Sequence, residues 1–361
     1  MRQFIGCDQH KHYSVFVAMN ETGEVGEAVR VVHDRATMRE FLKRLPEKME
    51  IAVESSGHYY WLVDEIEAAG HRARLAHALE VKKRTGRKGK KTDAEDARGL
   101  AMLLCNGTLP EVWIPPAKLR DQREMLRLRM FLSRQRTRVK NRIHGALARY
   151  QVQLDGDPYG SRWRQQLTAR AAELPEHTCQ SVQWQLHMLD FVETQIQQTE
   201  DRLLAVGSAM PEVDLLKTLP MVGKILSMVL ALEIGTVERF PSPAHLASYS
   251  GLVPRVHSSG DHTRMGQVCG DVNRYLKWAF VEAANLIVAQ PQKWRGSHVL
   301  RLYQRVRRKK NHQKAVVAAA RHLAEAAYWI LKKGEIYRPP QPRKQAAQRS
   351  FVDAGVSAER T

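Results

Sequence analysis

Cysteine is scarce: the chain has four in 361 residues, Cys7, Cys105, Cys179 and Cys269, and no CxxC pair. That spacing argues against a zinc ribbon or a disulfide framework, and reduced thiols in a cytoplasmic protein are the expectation. Long apolar runs are missing too. None approaches the ~20 residues that a membrane span requires, and the nearest, Ile225 to Leu232, is interrupted by Ser227. The chain enters a strand-like segment at Phe4 without the charged opening and apolar core of a signal peptide. No GxxxxGK[ST] phosphate loop occurs, so nothing points to ATP as an energy source. Acidic residues are the remaining shortage: 38 Asp and Glu face 57 Lys and Arg, a formal net charge of +19. The hydrophobic fraction, 43%, is ordinary and excludes wholesale disorder.

The positive charge is unevenly placed. Residues 1–80 carry ten Lys/Arg and thirteen Asp/Glu, a net of −3, so the remaining 47 and 25 give residues 81–361 a net of +22. A mildly acidic first domain followed by a strongly basic remainder predicts a polyanionic partner, of which nucleic acid is the usual one. Two runs concentrate the charge. Lys82, Lys83, Arg84, Arg87, Lys88, Lys90 and Lys91 read as a loop broken by Gly86 and Gly89, while Arg301, Arg305, Arg307, Arg308, Lys309, Lys310 and Lys314 form the other. Like charges this dense repel one another, and contact with phosphates relieves the repulsion.

Along the chain, Phe4 to Asp8, Tyr13 to Ala18 and Glu27 to Val32 read as three strands. A helix ends at Pro46, a buried-type strand runs from Ile51 to Glu54, a helix from Tyr59 to Ala69, and a fifth strand from Arg72 to Ala76. That order predicts an α/β domain with a mixed sheet over residues 1–112. The texture then turns helical. Lys118 to Arg142 holds ten basic residues, and Asp155 to Pro158 breaks the chain. In the next helix Leu189, Ile196 and Leu203 recur every seven residues, with Val192, Thr199 and Val206 offset by three. This is a short coiled-coil seam within a helical region at 113–210, which either joins two copies of the chain or packs two helices within one. A helical domain is expected over 211–338, followed by a disordered Pro-, Gln- and Arg-rich basic tail at 339–361.

Four carboxylates stand out. Asp8 closes the first strand and Glu54 the fourth, the places where α/β sheets carry chemistry. Thr92-Asp93-Ala94-Glu95-Asp96 reads as a capping box opening a helix, a sufficient reason for acids there. Asp93 and Asp96, however, share a helical stripe with Ala97, Leu100, Leu103 and Leu104, the side that turns inward, whereas Glu95 and Arg98 face away. Inward carboxylates need compensation, and Mg²⁺ or Mn²⁺ supplies it to hard oxygen ligands. Two such ions about 4 Å apart can clamp the attacking and leaving oxygens of a phosphodiester. His10 and His12, beside Asp8, read more simply as surface histidines than as ligands.

A second constellation lies downstream. Leu219-Pro220-Met221-Val222-Gly223-Lys224 precedes an apolar helix, and a glycine turn opening a helix presents backbone N–H groups to a phosphate, as in helix-hairpin-helix DNA-backbone binders. In Gly251-Leu252-Val253-Pro254-Arg255-Val256-His257-Ser258-Ser259-Gly260-Asp261-His262-Thr263-Arg264, the Ser-Gly pair fits either an ordinary turn or a nucleophile in a basic loop.

Taken together, Ile5-Gly6-Cys7-Asp8-Gln9-His10-Lys11, Val53-Glu54-Ser55-Ser56-Gly57, Lys91-Thr92-Asp93-Ala94-Glu95-Asp96-Ala97, Leu219-Pro220-Met221-Val222-Gly223 and the Gly251 to Gly260 segment resemble the DEDD transposases of bacterial insertion sequences. These are the one-ten family with its eleven-eleven subgroup and the related pilin-gene inverting recombinases. The resemblance runs in order over residues 4–335. It implies an N-terminal RuvC-like, ribonuclease-H-type domain, a coiled-coil insert and a C-terminal transposase domain. By position, Asp8, Glu54, Asp93 and Asp96 would hold Mg²⁺ or Mn²⁺, and Ser259, with Ser258 as its neighbour in register, would be the nucleophile of DNA strand exchange. Arg255, His257 and Arg264 would help to stabilise charge. Asp261 and Cys269-Gly270-Asp271 depart from the more basic family pattern. The resemblance further implies donor and target double-stranded DNA, a structured non-coding guide RNA, assembly as dimer to tetramer, and a nucleoid-associated place in the bacterial cytoplasm. The other activities that the same residues suit are a hydrolytic, metal-dependent junction nuclease using the carboxylates alone and a non-catalytic nucleic-acid-binding regulator.

Overall fold

The computed structural model describes residues 3–46, 48–86, 92–259, 262–268 and 270–340; for His257, Ser259, His262, Thr263 and Met265 it describes the backbone alone. The chain divides into two compact units, Met1–Arg120 and Asp121–Thr361.

In the first unit, β1 (Gln3–Gln9), β2 (Tyr13–Asn20) and β3 (Val29–Val32) form an antiparallel meander. Then follow α1 (Arg35–Arg44), β4 (Glu50–Glu54), α2 (Tyr59–Ala68), β5 (Arg72–Ala76), α3 (Ala78–Thr85), α4 (Asp93–Cys105) and a two-residue strand, β6 (Glu111–Val112). The sheet order is β3-β2-β1-β4-β5-β6. β1, β4 and β5 run parallel, and the outer strands are antiparallel, so the mixed sheet expected from the sequence is present. Strand alternation sorts β1 onto two faces. Ile5 and Cys7 join Phe16, Met38, Leu42, Ile51, Val53, Leu62, Ile66 and Leu75 in the core that α1 and α2 complete. Phe4 turns to the other face, where it meets Ala52, Ala76 and the α4 residues Leu100, Leu103 and Leu104. Ala97 of α4 packs there against Val15 and Val17.

Two local expectations are corrected. Lys82, Lys83 and Arg84 stand in the last turn of α3, where the sequence reads as a loop; His77 caps the helix start, Val81 buries, and Gly86 closes the end in the left-handed region at φ 57°. Three cations at a helix C-terminus are favoured by its dipole. The third strand begins at Val29, leaving Glu27 and Ala28 exposed ahead of it.

The second unit takes most of α5 (Ala117–Arg149), then α6 (Ser161–Ala169), α7 (Glu176–Gly207), α8 (Pro211–Lys217), α9 (Lys224–Ile234) and α10 (Pro243–Tyr249). A hairpin of β7 (Pro254–Ser259) and β8 (His262–Val268) follows, then α11 (Arg274–Ala289), α12 (His298–Arg307) and α13 (His312–Lys333). The C-terminal region is helical as the sequence indicates, and the hairpin is an addition that the sequence reading did not include. The coiled-coil seam is used within the chain: Val192 and Ile196 of α7 bury against Leu132 of α5, and Leu189 joins Val139, Ile143 and Ala146. A different stripe of α7, Trp184, Met188 and Phe191, is exposed.

Glu233, fully buried at the end of α9, organises this unit. It accepts from Nε and Nη2 of Arg127 (3.1 and 3.3 Å) and from Asn273 Nδ2 (2.8 Å), while Arg123 donates to the Leu232 and Glu233 carbonyls. Asn273 Oδ1 in turn accepts from the Tyr275 and Leu276 N–H groups at the start of α11. One carboxylate therefore ties α5, α9 and α11 together. Glu233→Ala is expected to destabilise this unit by about 3–5 kcal/mol, because it strands buried donors arranged around a lost charge. Denaturant unfolding checks this, and a loss below about 1 kcal/mol, the scale of an exposed ion pair, would contradict it.

Candidate active site

The site begins with Gly6. A Cβ at that position would lie 1.9 Å from the Ala97 carbonyl oxygen and 2.5 Å from the Ala101 nitrogen, so only glycine lets α4 lie directly on β1. Two residues on, the strand's period of two returns Asp8 to the face that α4 covers. The helix starts where Thr92 caps it, its hydroxyl accepting from the Glu95 N–H at 3.3 Å, while Glu95 itself turns out to Arg98. Asp93 and Asp96 occupy the first turn with Glu95. Capping and placement thus coexist: the residues that start the helix also set its acids beside the end of β1.

His10 Nε2 lies 3.1 Å from Asp8 Oδ2 and 3.2 Å from Asp93 Oδ2. The Tyr13 hydroxyl donates to the same Asp93 oxygen at 2.9 Å, and the Tyr13 and His10 rings stack at 4.7 Å. Among the described residues, Asp8, His10 and Asp93 form the one group of three metal-capable side chains whose donor atoms all lie within 4.8 Å of one another. Burial pushes the Asp8 carboxyl above its ordinary value; His10 offsets part of this, and the negative charges of Asp96 and Asp93 add to it. Asp96 is therefore close enough to act on Asp8 electrostatically. Glu54 ends β4 one residue beyond the last β1–β4 pair, Cys7 with Val53, and alternation puts it on the α4 face with Ala52. It stands outside the tight group of three. A site rich in carboxylate oxygens with like charges crowding a buried acid fits a divalent cation, which would relieve that crowding.

The neighbouring loops are pinned. Gln9 donates to the His58 carbonyl at 3.0 Å and accepts from the Ser56 hydroxyl at 3.4 Å, tying the segment after Glu54 to the end of β1. Sequence reasoning passed over Tyr13 and set His10 aside as a surface histidine; the signal for both was their nearness to Asp8 at the turn of a hairpin.

The basic candidates are spread over several elements. Lys83 pairs with Glu80, and Arg84 donates to the Thr108 carbonyl. Arg87, Lys88, Lys90 and Lys91 lie outside the described residues. Gly223 is the N-cap of α9 and Lys224 its first residue; Gly223 brings no capping side chain, and the preceding turn puts Met221 at φ 60°. Arg307 ends α12 and Arg308, Lys309 and Lys310 follow it before α13; all four are exposed. On the hairpin, Arg255, Ser258 and Arg264 are exposed. Ser259 pairs with His262 at its end; the Ser259 side chain, Gly260 and Asp261 lie outside the described residues.

Two family models match the chain in tandem. A DEDD-type transposase model covers residues 5–152, and the model described as "Transposase IS116/IS110/IS902 family" covers 213–299. The class is transposase. A protein of Pseudomonas aeruginosa named "Probable family 20 transposase" is 26% identical over 311 residues, covering 84% of this chain and 90% of its own. The transposase for insertion sequence element IS1328 of Yersinia enterocolitica is 23% identical over 312 residues, 84% of this chain and 89% of its own. An IS110 insertion-element protein of Streptomyces coelicolor is 32% identical over 156 residues, 43% of this chain and 37% of its own. The chain belongs to the IS110/IS116 transposase family.

Proposed function

We propose that the protein moves its insertion sequence by DNA strand exchange, with the carboxylate site of the first unit holding Mg²⁺ or Mn²⁺ and Ser259 acting as nucleophile. The observation that carries this reading is the convergence of Asp8 and Asp93, from a strand and a helix 85 residues apart, at ligand distance from one another through His10, with Asp96 acting on the same carboxyl. Bound divalent ions would polarise the phosphodiester and stabilise the charge that develops on its oxygens. Asp8, Asp93, Asp96 and Glu54 are the residues to hold them, on the domain that the family resemblance implies is RuvC-like and whose mixed sheet is compatible with it. The Ser259 hydroxyl attacks the phosphorus, the ester bond to one deoxyribose oxygen breaks, and that oxygen leaves with a proton as a free hydroxyl. A phosphoserine ester conserves the bond energy, and a hydroxyl from the partner strand reverses the attack, returning the serine.

Basic residues support the nucleic-acid partners: Lys82, Lys83 and Arg84 on α3, Arg255 and Arg264 on the hairpin, and Arg307 to Lys310 at and after the end of α12. They suit donor and target DNA and also a structured guide RNA transcribed beside the gene. The exposed Trp184, Met188 and Phe191 on α7, with Phe131 on α5, support self-association to a dimer or tetramer. No helix among the described residues is long and apolar enough to cross a membrane.

A supercoiled plasmid carrying this gene with its flanking DNA, incubated with the protein and Mn²⁺ and quenched in detergent, tests the chemistry. Wild type should leave a protease-sensitive protein–DNA adduct, Ser259→Ala none, and Ser258→Ala the adduct intact. Undiminished cutting by Ser259→Ala, with free ends and no adduct, would establish the hydrolytic alternative instead.

A further inference from the structure

We propose that His10 is itself a ligand of the divalent ion, through Nε2, and that this nitrogen gives the site a preference for Mn²⁺ over Mg²⁺. The inference rests on the reading that Asp8 and Asp93 hold the ion. It starts from separations. Donor atoms on adjacent corners of an octahedron around an ion with bonds of about 2.1 Å stand about 3.0 Å apart. His10 Nε2 is 3.1 Å from Asp8 Oδ2 and 3.2 Å from Asp93 Oδ2, so it stands at adjacent-corner spacing from both oxygens, and all three donor atoms lie within 4.8 Å of one another.

The chemistry of Nε2 points the same way. The atom is closed off from solvent and makes no hydrogen bond of acceptable geometry, although two carboxylate oxygens sit within ion-pair distance of it. A shielded nitrogen standing between two carboxylate oxygens is placed where a third ligand would meet the same cation. Its position is not accidental side-chain freedom. The His10 N–H donates to the Tyr13 carbonyl at 2.9 Å, closing the β1–β2 turn, and the imidazole stacks on the Tyr13 ring at an interplanar angle of 30°. Tyr13 also orients the second ligand, because its hydroxyl donates to Asp93 Oδ2. One tyrosine thus fixes an imidazole and a carboxylate against each other, the kind of outer support that metal ligands receive. Finally, Mg²⁺ favours oxygen donors alone, whereas imidazole suits later first-row divalent ions, and among the two ions of the proposed function it favours Mn²⁺. Read as a protonated histidine neutralising two acids, the same contact would instead oppose cation binding, so the two readings predict opposite results.

The test is binding without DNA or turnover. Mn²⁺ is titrated into the intact chain with free ion followed by electron paramagnetic resonance, and Mg²⁺ affinity is obtained by competition. His10→Ala should weaken Mn²⁺ binding about tenfold or more while changing Mg²⁺ affinity far less. The bound Mn²⁺ in wild type should show ¹⁴N coupling in pulsed spectra, absent in His10→Ala; because this is read on wild type, it stands even if the variant misfolds. Unchanged or tighter Mn²⁺ binding in His10→Ala, or no nitrogen coupling in wild type, overturns the proposal. Asp93→Asn separates the underlying reading: if it too leaves Mn²⁺ binding untouched, the carboxylate site itself fails, and not merely the role of His10.

Discussion

Gly6→Ala is expected to lower the stability of the first unit by about 3 kcal/mol or more, the upper range for forcing a methyl group into a packed interior. The magnitude follows from what the methyl would strike. Its nearest neighbours are the Ala97 carbonyl oxygen and the Ala101 nitrogen, backbone atoms of α4 that no rotamer change can withdraw. Relief requires the whole helix to move off β1, opening the contacts of Leu100, Leu103 and Leu104 with Phe4, Ala52 and Ala76. The same movement would carry Asp93 and Asp96 away from Asp8, since both acids stand in the first turn of that helix. A variant that still folds should therefore lose divalent-ion binding as well. Thermal or denaturant unfolding checks the first effect, and a change within about 0.5 kcal/mol, as at an ordinary surface position, would refute it.

Much of this arrangement is legible in the sequence. Ile51-Ala52-Val53-Glu54 and Phe4-Ile5-Gly6-Cys7-Asp8 are apolar runs ending in an acid, and burial on both faces of a sheet explains why they are apolar without interruption. The helical stripe through Asp93, Asp96, Ala97 and Leu100 separates inward acids from the outward Glu95 and Arg98, and the structure keeps that separation. Other features are illegible for physical reasons. α3 hides among cations because its one buried anchor, Val81, gives no periodicity. β7 and β8 pair mainly with each other and have little apolar alternation, so a hairpin in a helical unit leaves no pattern. The seam at Leu189, Ile196 and Leu203 fits a partner helix from either source, and only the three-dimensional packing shows Leu132 and Val139 as its neighbours. His10 and Tyr13 acquire meaning only when Asp93, 80 residues after Tyr13, arrives beside them.

The second large effect concerns Asp8. Burial and the neighbouring Asp96 and Asp93 raise its pKa, so the fold favours its protonated form. The sign follows from proton linkage: a carboxyl with a raised folded pKa contributes stability at low pH that is lost as pH rises from the ordinary carboxylate value through the raised one. At pH 7 without metal, Asp8→Asn should therefore melt above wild type, and the gap should close as pH falls below the ordinary carboxylate range. On the proposed function the gain in stability should come with loss of activity, because the amide cannot supply the charge that Asp8 would offer a cation. Substituting a direct ligand should cost more than the 10–100-fold typical of its supporting neighbours, so strand cutting should fall by more than about a hundredfold.

Cleavage of the plasmid that carries the gene and its flanking DNA, by wild type and Asp8→Asn in Mg²⁺ and in Mn²⁺, is the most direct trial of a metal-holding carboxylate site. A folded, more heat-resistant Asp8→Asn protein that leaves the DNA uncut is the expected result; cutting at the wild-type rate would contradict it.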